Sequence, residues 1–545
     1  MKFFFLFACS WVLVAFGQPH MSVILSVFAS AFGFTLFWAS LMYFPLKKHR
    51  YFYSAFWFFS VQLIQLSWVA TPTYQGFYIV FVYLGLALCL GAEFGVLSLF
   101  LPQKGALGVR RIFFIASLWT LLEWSRLFIL CGFAWNPIGL SLTAFPLSGQ
   151  IASIVGIFGL SFIVMVVNLF GLNLSFLWNK RSFFVYGGVL LFPYLFGAVH
   201  IYVHEKLKTG ITHPYHVALV QTALLPDQKD LYRGKEEAFI HPFLQWKEIF
   251  SYIQEHQAKH LDLIVLPEYA LPFSSHATVY SYLDLIDLIG DQLEGSKSLL
   301  KAPFAETREG EWYVSNAFMA QALANHHGAE VIMGLESSSG QIYHNAAFHF
   351  TPNAENITEY AKRVLVPLAE YLPFNFLKPL VARYGIVNFF THGKEAKVIK
   401  GKHPISLSIC YEECFPHIIR EGRRKGGELF VNVTNDGWFP NSRLPEQHFI
   451  HGRVRAIENG AFLLRACNTG ITAGVDSFGR TIARFENSEG RFELERGALF
   501  IPLDLYSYST LYTFWGDAFI LMISLFCLLL GFKKGILLDE NQQDD

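Results

Sequence analysis

A polytopic α-helical membrane protein carrying an inserted α/β domain is the fold class that this 545-residue sequence predicts. Composition is the first sign: hydrophobic residues make up 53% and charged residues 15%, with 56 Phe, well outside the range of an ordinary soluble chain. Patterning is the second. Charge is sparse before about residue 203 and ordinary between about 204 and 509, so one long polar block interrupts a chain of apolar runs. The sequence therefore divides into a membrane domain (1–203), a polar domain (204–509), a last span (510–532) and a tail (533–545). Net charge is zero, which leaves no bulk basic field for nucleic acid.

Seven apolar runs precede the polar block, at roughly 3–17, 22–45, 53–70, 77–101, 111–131, 150–178 and 183–203, and an eighth follows at about 510–532. Most approach the twenty or so residues that a helix needs to cross a bilayer. The first is short, and reading it as a signal peptide stays open. Basic clusters set the orientation: Lys47, Lys48, His49 and Arg50 follow run two, Lys104, Arg110 and Arg111 run four, Lys180 and Arg181 run six, Lys533 and Lys534 run eight. Every even run then ends in the cytoplasm, and the polar block faces the outside, which in a double-membrane bacterium is the periplasm. Run five carries Glu123 and Arg126 on one helix face, as a self-neutralising pair or as a functional one. Tyr51, Tyr53, Trp57, Trp68 and Tyr74 suit an interfacial belt.

Within the polar block, apolar β-rich runs recur at 216–221, 261–268, 330–336, 405–412, 428–436 and 462–468, separated by helical patterns such as 243–260 and 445–460. That alternation predicts an α/β sheet covered on its faces. Three chemically capable residues fall near strand ends or in loops: Glu268 in VLPEYALPF, Lys362 in YAKRVLVPLAEYLPF and Cys410 in LSICYEECFP. A carboxylate, an ammonium and a thiol are what thiol-based acyl transfer needs as base, oxyanion stabiliser and nucleophile. Of seven cysteines, four lie in apolar runs as small hydrophobes, and the three in the polar block show no disulfide-scaffold or zinc spacing; Cys410 and Cys414 lack a second pair. With no phosphate-cradling glycine loop and no HExxH, neither metal nor nucleotide cofactor is expected.

These stretches, with NVTNDGWF and EQHFIHGRVRAIENGAFLLRACNTGITAGVD, resemble the nitrilase superfamily of carbon–nitrogen hydrolases. More narrowly they are similar to its integral-membrane branch, the apolipoprotein N-acyltransferases. LEWSR (122–126) and FAWNPIG (133–139) resemble the membrane part of that branch. The resemblance implies a nitrilase-like α-β-β-α sandwich between the last two of eight spans. It implies Cys410 as nucleophile, Glu268 as general base and Lys362 as stabiliser of the tetrahedral intermediate, supported by Glu370, Tyr411 and Glu412. The chain departs near its first domain strand, where Gln221 is followed by Thr222 and Ala223 and later by Tyr232, rather than by the Gly-Asn and Trp of the branch.

The implied reaction moves a fatty acyl group from a membrane phospholipid, through a Cys410 thioester, to the amine of the diacylglyceryl-cysteine of apolipoproteins. It needs no cofactor and is carried out by a monomer in the bacterial inner membrane. A membrane-tethered amidase uses the same three residues and stays open as an alternative; a non-enzymatic transporter or scaffold is a further one. The apolar stretches 374–390 and 279–289 read either as core helices or as interfacial lids that admit acyl chains. Trp438 and Phe439 either shape the pocket or pack, and Asn435 and Asp436 are expected to fix a turn.

Overall fold

In the computed structural model, each of the eight apolar runs folds as helix. The structure describes residues 2–532 apart from 20, 103–104, 131, 210–212, 230–235, 255–259, 294, 355, 375, 377 and 380–388. Lys104, Tyr232, Lys533, Lys534 and most of the second half of 374–390 thus lie outside the described residues. Two compact units emerge: Met1–Leu207 with Ile457–Gly460 and Ser509–Asp545, and Lys208–Ala456 with Ala461–Tyr508.

The first unit is helical. Among the described residues, four helices are long and apolar enough to cross a membrane: Val23–Leu41, Ile79–Ser98, Ala152–Phe176 and Lys180–Leu207. The first of these contains a π turn at Ala29–Gly33, and Asn168 serves the backbone there. Its Oδ1 accepts the Phe34 and Thr35 N–H groups at 3.0 Å, and its Nδ2 donates to the Ser30 carbonyl at 2.8 Å. An apolar setting demands such partners. Gly91 brings Ile79–Ser98 against Lys47–Gln65, since a Cβ there would stand 2.6 Å from the Ala55 carbonyl oxygen.

Two expectations change here. The run at 510–532 is not one continuous helix: Gly516, at φ 59, separates Leu511–Trp515 from Ala518–Phe532. Nor is Glu123–Arg126 a self-contained pair. Arg126 bridges to Glu93 at 2.6 Å, and Glu123 accepts the Ile138 N–H at 2.8 Å, holding the start of the 3-10 turn Ile138–Ala144.

The second unit holds two six-stranded mixed sheets. In the first, His213–Gln221 pairs antiparallel with Gly497–Leu505 and parallel with Leu263–Leu266, which continues parallel to Glu330–Ser339. Ile342–Phe350 and Thr358–Ala361 complete it antiparallel. In the second, Pro404–Ile409, Leu429–Thr434 and Phe462–Cys467 run parallel at the centre, flanked by Val398–Lys400 and by Ala473–Val475 with Thr481–Arg484. The sheets face each other closely enough that a Cβ at Gly474 would lie 2.9 Å from Ile501.

Helices cover the outer faces. Pro242–Gln254, Tyr282–Ile289 and Asn316–His327 bury Trp246, Phe250, Leu285 and Phe318 against the first sheet. Leu444–Asn459 buries Phe449 and Ala456 against the second, beside Ile419 of Pro416–Arg424. The result is an α-β-β-α sandwich. All six expected strand runs contain strands, and the helical patterns at 243–260 and 445–460 overlap the helices Pro242–Gln254 and Leu444–Asn459. Helix Tyr282–Ile289, weighed as a lid, commits Tyr282, Leu285 and Ile289 to the core and leaves Leu283 exposed.

Candidate active site

Each chemical residue sits where a regular element stops. Glu268 follows the strand Leu263–Leu266 and is 5% exposed. Its backbone presses on the neighbouring strand at Gly334, where a Cβ would come within 2.6 Å of the Glu268 Cα. Lys362 follows the strand Thr358–Ala361 and is held on both sides: its N–H donates to the Asn345 carbonyl at 2.8 Å, and its carbonyl accepts the Gly393 N–H at 2.7 Å.

Cys410 follows Pro404–Ile409, so the strand closes one residue before the thiol rather than on it. Its φ of 51 places it in the left-handed region, a strained turn for a residue bearing a Cβ. A 3-10 turn, Cys410–Cys414, leads from there to the helix Pro416–Arg424. The sharp strand-to-helix turn lifts the thiol out of the sheet and leaves Cys410 half-buried.

Lys362 is 1% exposed and lies between two carboxylates. Its Nζ is 3.0 Å from Glu268 Oε1 and 2.8 Å from Glu370 Oε1. Asn345 makes the same bridge from the opposite strand, its Nδ2 donating to Glu268 Oε1 at 2.7 Å and to Glu370 Oε1 at 2.8 Å. Glu370 Oε2 in turn accepts the Val366 N–H at 2.8 Å, closing the loop that carries it. Burial works against the Lys362 ammonium, yet Glu268, Glu370 and Cys410 hold its pKa well above the usual lysine range. Lys362 therefore stays a cation throughout any cycle near neutral pH.

The thiol is treated oppositely. The protein around it, and the Glu268 charge, push the Cys410 pKa well above the ordinary thiol value, while Lys362 opposes them. The resting sulfur is a protonated thiol beside a carboxylate able to take its proton. Iodoacetamide labelling of Cys410 is accordingly expected to keep rising through about pH 9 instead of levelling near the ordinary thiol pKa of about 8.5. A plateau at the ordinary value would contradict this reading.

Glu412 is fully buried and ties the nucleophile turn to the Lys362 loop. Its carboxylate accepts from the Arg363 N–H at 2.6 Å, the Ile409 N–H at 2.8 Å and the Tyr360 hydroxyl at 2.8 Å. Burial pushes its pKa up against these bonds. The Tyr411 ring stands edge-on to Phe415 at 4.9 Å. Glu268, Lys362 and Glu370 thus form one bonded cluster, Glu412 ties the Cys410 turn to the Lys362 loop, and Tyr411 packs on Phe415.

Other contributors were not singled out. Asn345 lies inside a strand and carries no motif, and only sheet pairing reveals it. Asn435 fixes a turn as expected, its Oδ1 accepting the Gly437 N–H at 3.1 Å. Asp436 departs from that expectation: its Oδ1 meets the His448 Nδ1 at 2.9 Å. Trp438 is 40% exposed.

A carbon-nitrogen hydrolase family profile matches residues 218–490, and a profile for the apolipoprotein N-acyltransferase N-terminal domain matches residues 30–170. The chain is 33% identical to the apolipoprotein N-acyltransferase of Chlamydia pneumoniae, over 98% of this chain and 97% of that one. Its counterpart from Chlamydia caviae is 31% identical over 96% of each chain. The one from Methylococcus capsulatus is 29% identical over 83% of this chain and 81% of that one.

Proposed function

Because the chain belongs to the apolipoprotein N-acyltransferase family, we propose that it N-acylates bacterial lipoproteins by passing a fatty acyl group through Cys410. The observation that carries this reading is a lysine fixed between two carboxylates beside a strained thiol. Glu268 takes the Cys410 proton, and the sulfur attacks the ester carbonyl of a membrane phospholipid. The Lys362 ammonium balances the charge that develops on the carbonyl oxygen. The ester C–O bond breaks, the proton passes from Glu268 to the leaving oxygen, and lysophospholipid departs.

In the second half, the amine of a diacylglyceryl-cysteine attacks the thioester. Glu268 accepts the amine proton and returns one to the sulfur, leaving an amide and a free thiol. This is a two-step, ping-pong route. Glu370 and Asn345 hold Lys362 and Glu268 in register, and Glu412 holds the turn that presents the thiol.

The lipid donor is supported by the four long apolar helices, and the alternating basic clusters of the sequence support an outward-facing catalytic domain. Incubation with acyl-labelled phospholipid and a diacylglyceryl peptide tests the assignment. Label on the peptide amine is the expected result, and label released only as free fatty acid would instead identify a hydrolase.

Access for acyl chains is assigned to the stretch that holds Phe374 and Phe376. Phe374 and Phe376 are 47% and 76% exposed and stack at 5.5 Å, an apolar pair suited to a lipid surface. Charging both, as Phe374→Glu with Phe376→Glu, is expected to weaken transfer from phospholipid more than from a short soluble ester. Equal loss on both donors would sink the lid assignment.

A further inference from the structure

Behind Cys410 lies a closed group of buried charges that the acyl-transfer scheme does not use. His448 is 2% exposed, on the helix Leu444–Asn459. Its Nδ1 is 2.9 Å from Asp436 Oδ1, and its Nε2 is 3.1 Å from Glu413 Oε1 and 3.2 Å from the Cys410 carbonyl oxygen. The Cys410 carbonyl can only accept, so Nε2 donates to it, while Nδ1 meets the Asp436 carboxyl group. Arg465, on the strand Phe462–Cys467, completes the group at 2.6 Å from Glu413 Oε1. An imidazolium between Asp436 and Glu413, with Arg465 on Glu413, would pair every buried charge of the group.

The surroundings are cut to fit the two carboxylates. A Cβ at Gly452 would stand 2.6 Å from Glu413 Oε2, and one at Gly470, which sits at φ 122, would stand 2.6 Å from Asp436 Oδ2. On its own helix His448 also faces His451, whose pKa burial, Arg455 and His448 itself hold well below the usual range, so His451 is neutral. Arg455 faces His451 and the Cys414 thiol. The Cys410 Sγ, an Asp436 oxygen and a His448 nitrogen all lie within 4.8 Å of one another. That spacing would suit a metal ion, but both imidazole nitrogens already have hydrogen-bond partners.

We propose that His448 is a positioning residue: an imidazolium clamped by Asp436 and Glu413 that holds the carbonyl of Cys410 in its left-handed turn and keeps a positive charge beside the sulfur. The inference rests on Cys410 being the nucleophile. The bond to the carbonyl opposes relaxation of the strained φ, and the charge favours the thiolate once Glu268 has taken the proton.

The test uses the full-length protein in detergent, with His448→Gln, which keeps a donor but loses the charge, and His448→Asn as the smaller alternative. Alkylation of Cys410 is followed peptide by peptide with anionic iodoacetate and with neutral iodoacetamide. Loss of one nearby positive charge is expected to lower the iodoacetate-to-iodoacetamide rate ratio by about tenfold, because the anionic reagent feels that charge and the neutral one does not, and to lower kcat with KM unchanged. A purely structural role would change both reagents alike. A ratio within about twofold of the wild type, in whichever variant folds, overturns the proposal. Because alkylation requires no acyl donor, a normal ratio change in a protein that transfers no acyl group would overturn the lipoprotein reading and leave this one standing.

Discussion

Glu268→Gln is expected to reduce N-acyl transfer by at least about a hundredfold, the usual contribution of a positioned general base. The amide keeps an oxygen where Oε1 stands, so the bonds from Asn345 and Lys362 have an acceptor and the fold is retained. What disappears is a carboxylate near the thiol that can gain a proton while Lys362 keeps a second acidic partner. Lys362 retains Glu370 when Glu268 is neutral. Thermal unfolding close to that of the wild type, with transfer lost, is the expected pair of results. Transfer within about threefold of the wild type would remove Glu268 from the role of base.

Lys362→Met is expected to cost both activity and stability. The ammonium is fully enclosed, and its removal leaves Glu268 and Glu370 facing each other across Asn345 with no cation. Breaking a buried pair in this way costs about 3–5 kcal/mol. A second substitution separates the two roles. Glu370→Gln added to Lys362→Met removes one of the stranded charges and is expected to recover part of the stability, with no recovery of transfer. Denaturant unfolding of the four proteins in the cycle reads the first effect, and labelled acyl transfer reads the second. Recovery of transfer in the double variant would mean that Lys362 balances charge in the resting protein and does no more.

The sequence made much of this site readable, for identifiable reasons. Glu268 and Cys410 stand directly after strongly apolar β runs, where α/β domains expose their chemistry. Lys362 and Glu370 share one motif because a single short loop, closed by the Val366 N–H on the Glu370 carboxylate, carries both. Asn345 was not readable. It comes from an antiparallel strand whose neighbour, Thr358–Ala361, is short and gives no periodic signal. His448 and Arg465 were hidden for a related cause, since they read as ordinary polar positions until a helix and a strand bring them to Glu413.

The helical runs were legible from hydropathy, but their interruptions were not. The π turn at Ala29–Gly33 depends on a side chain far along the chain, Asn168, which supplies the missing backbone partners. The break at Gly516 depends on one positive φ. Local apolarity reports burial or lipid contact and is blind to both. Phe374 and Phe376 show the same limit in reverse, since an apolar stretch that reads either as core helix or as interfacial lid leaves these two aromatic rings in the open.

The central claim is that Cys410 carries the acyl group, and intact mass of the purified protein after exposure to phospholipid tests it most directly. The account predicts one fatty-acyl increment, removed by hydroxylamine, discharged by a diacylglyceryl-cysteine peptide and missing from Cys410→Ala. An unmodified mass under conditions in which the protein transfers acyl groups, or an increment that persists in Cys410→Ala, would contradict it.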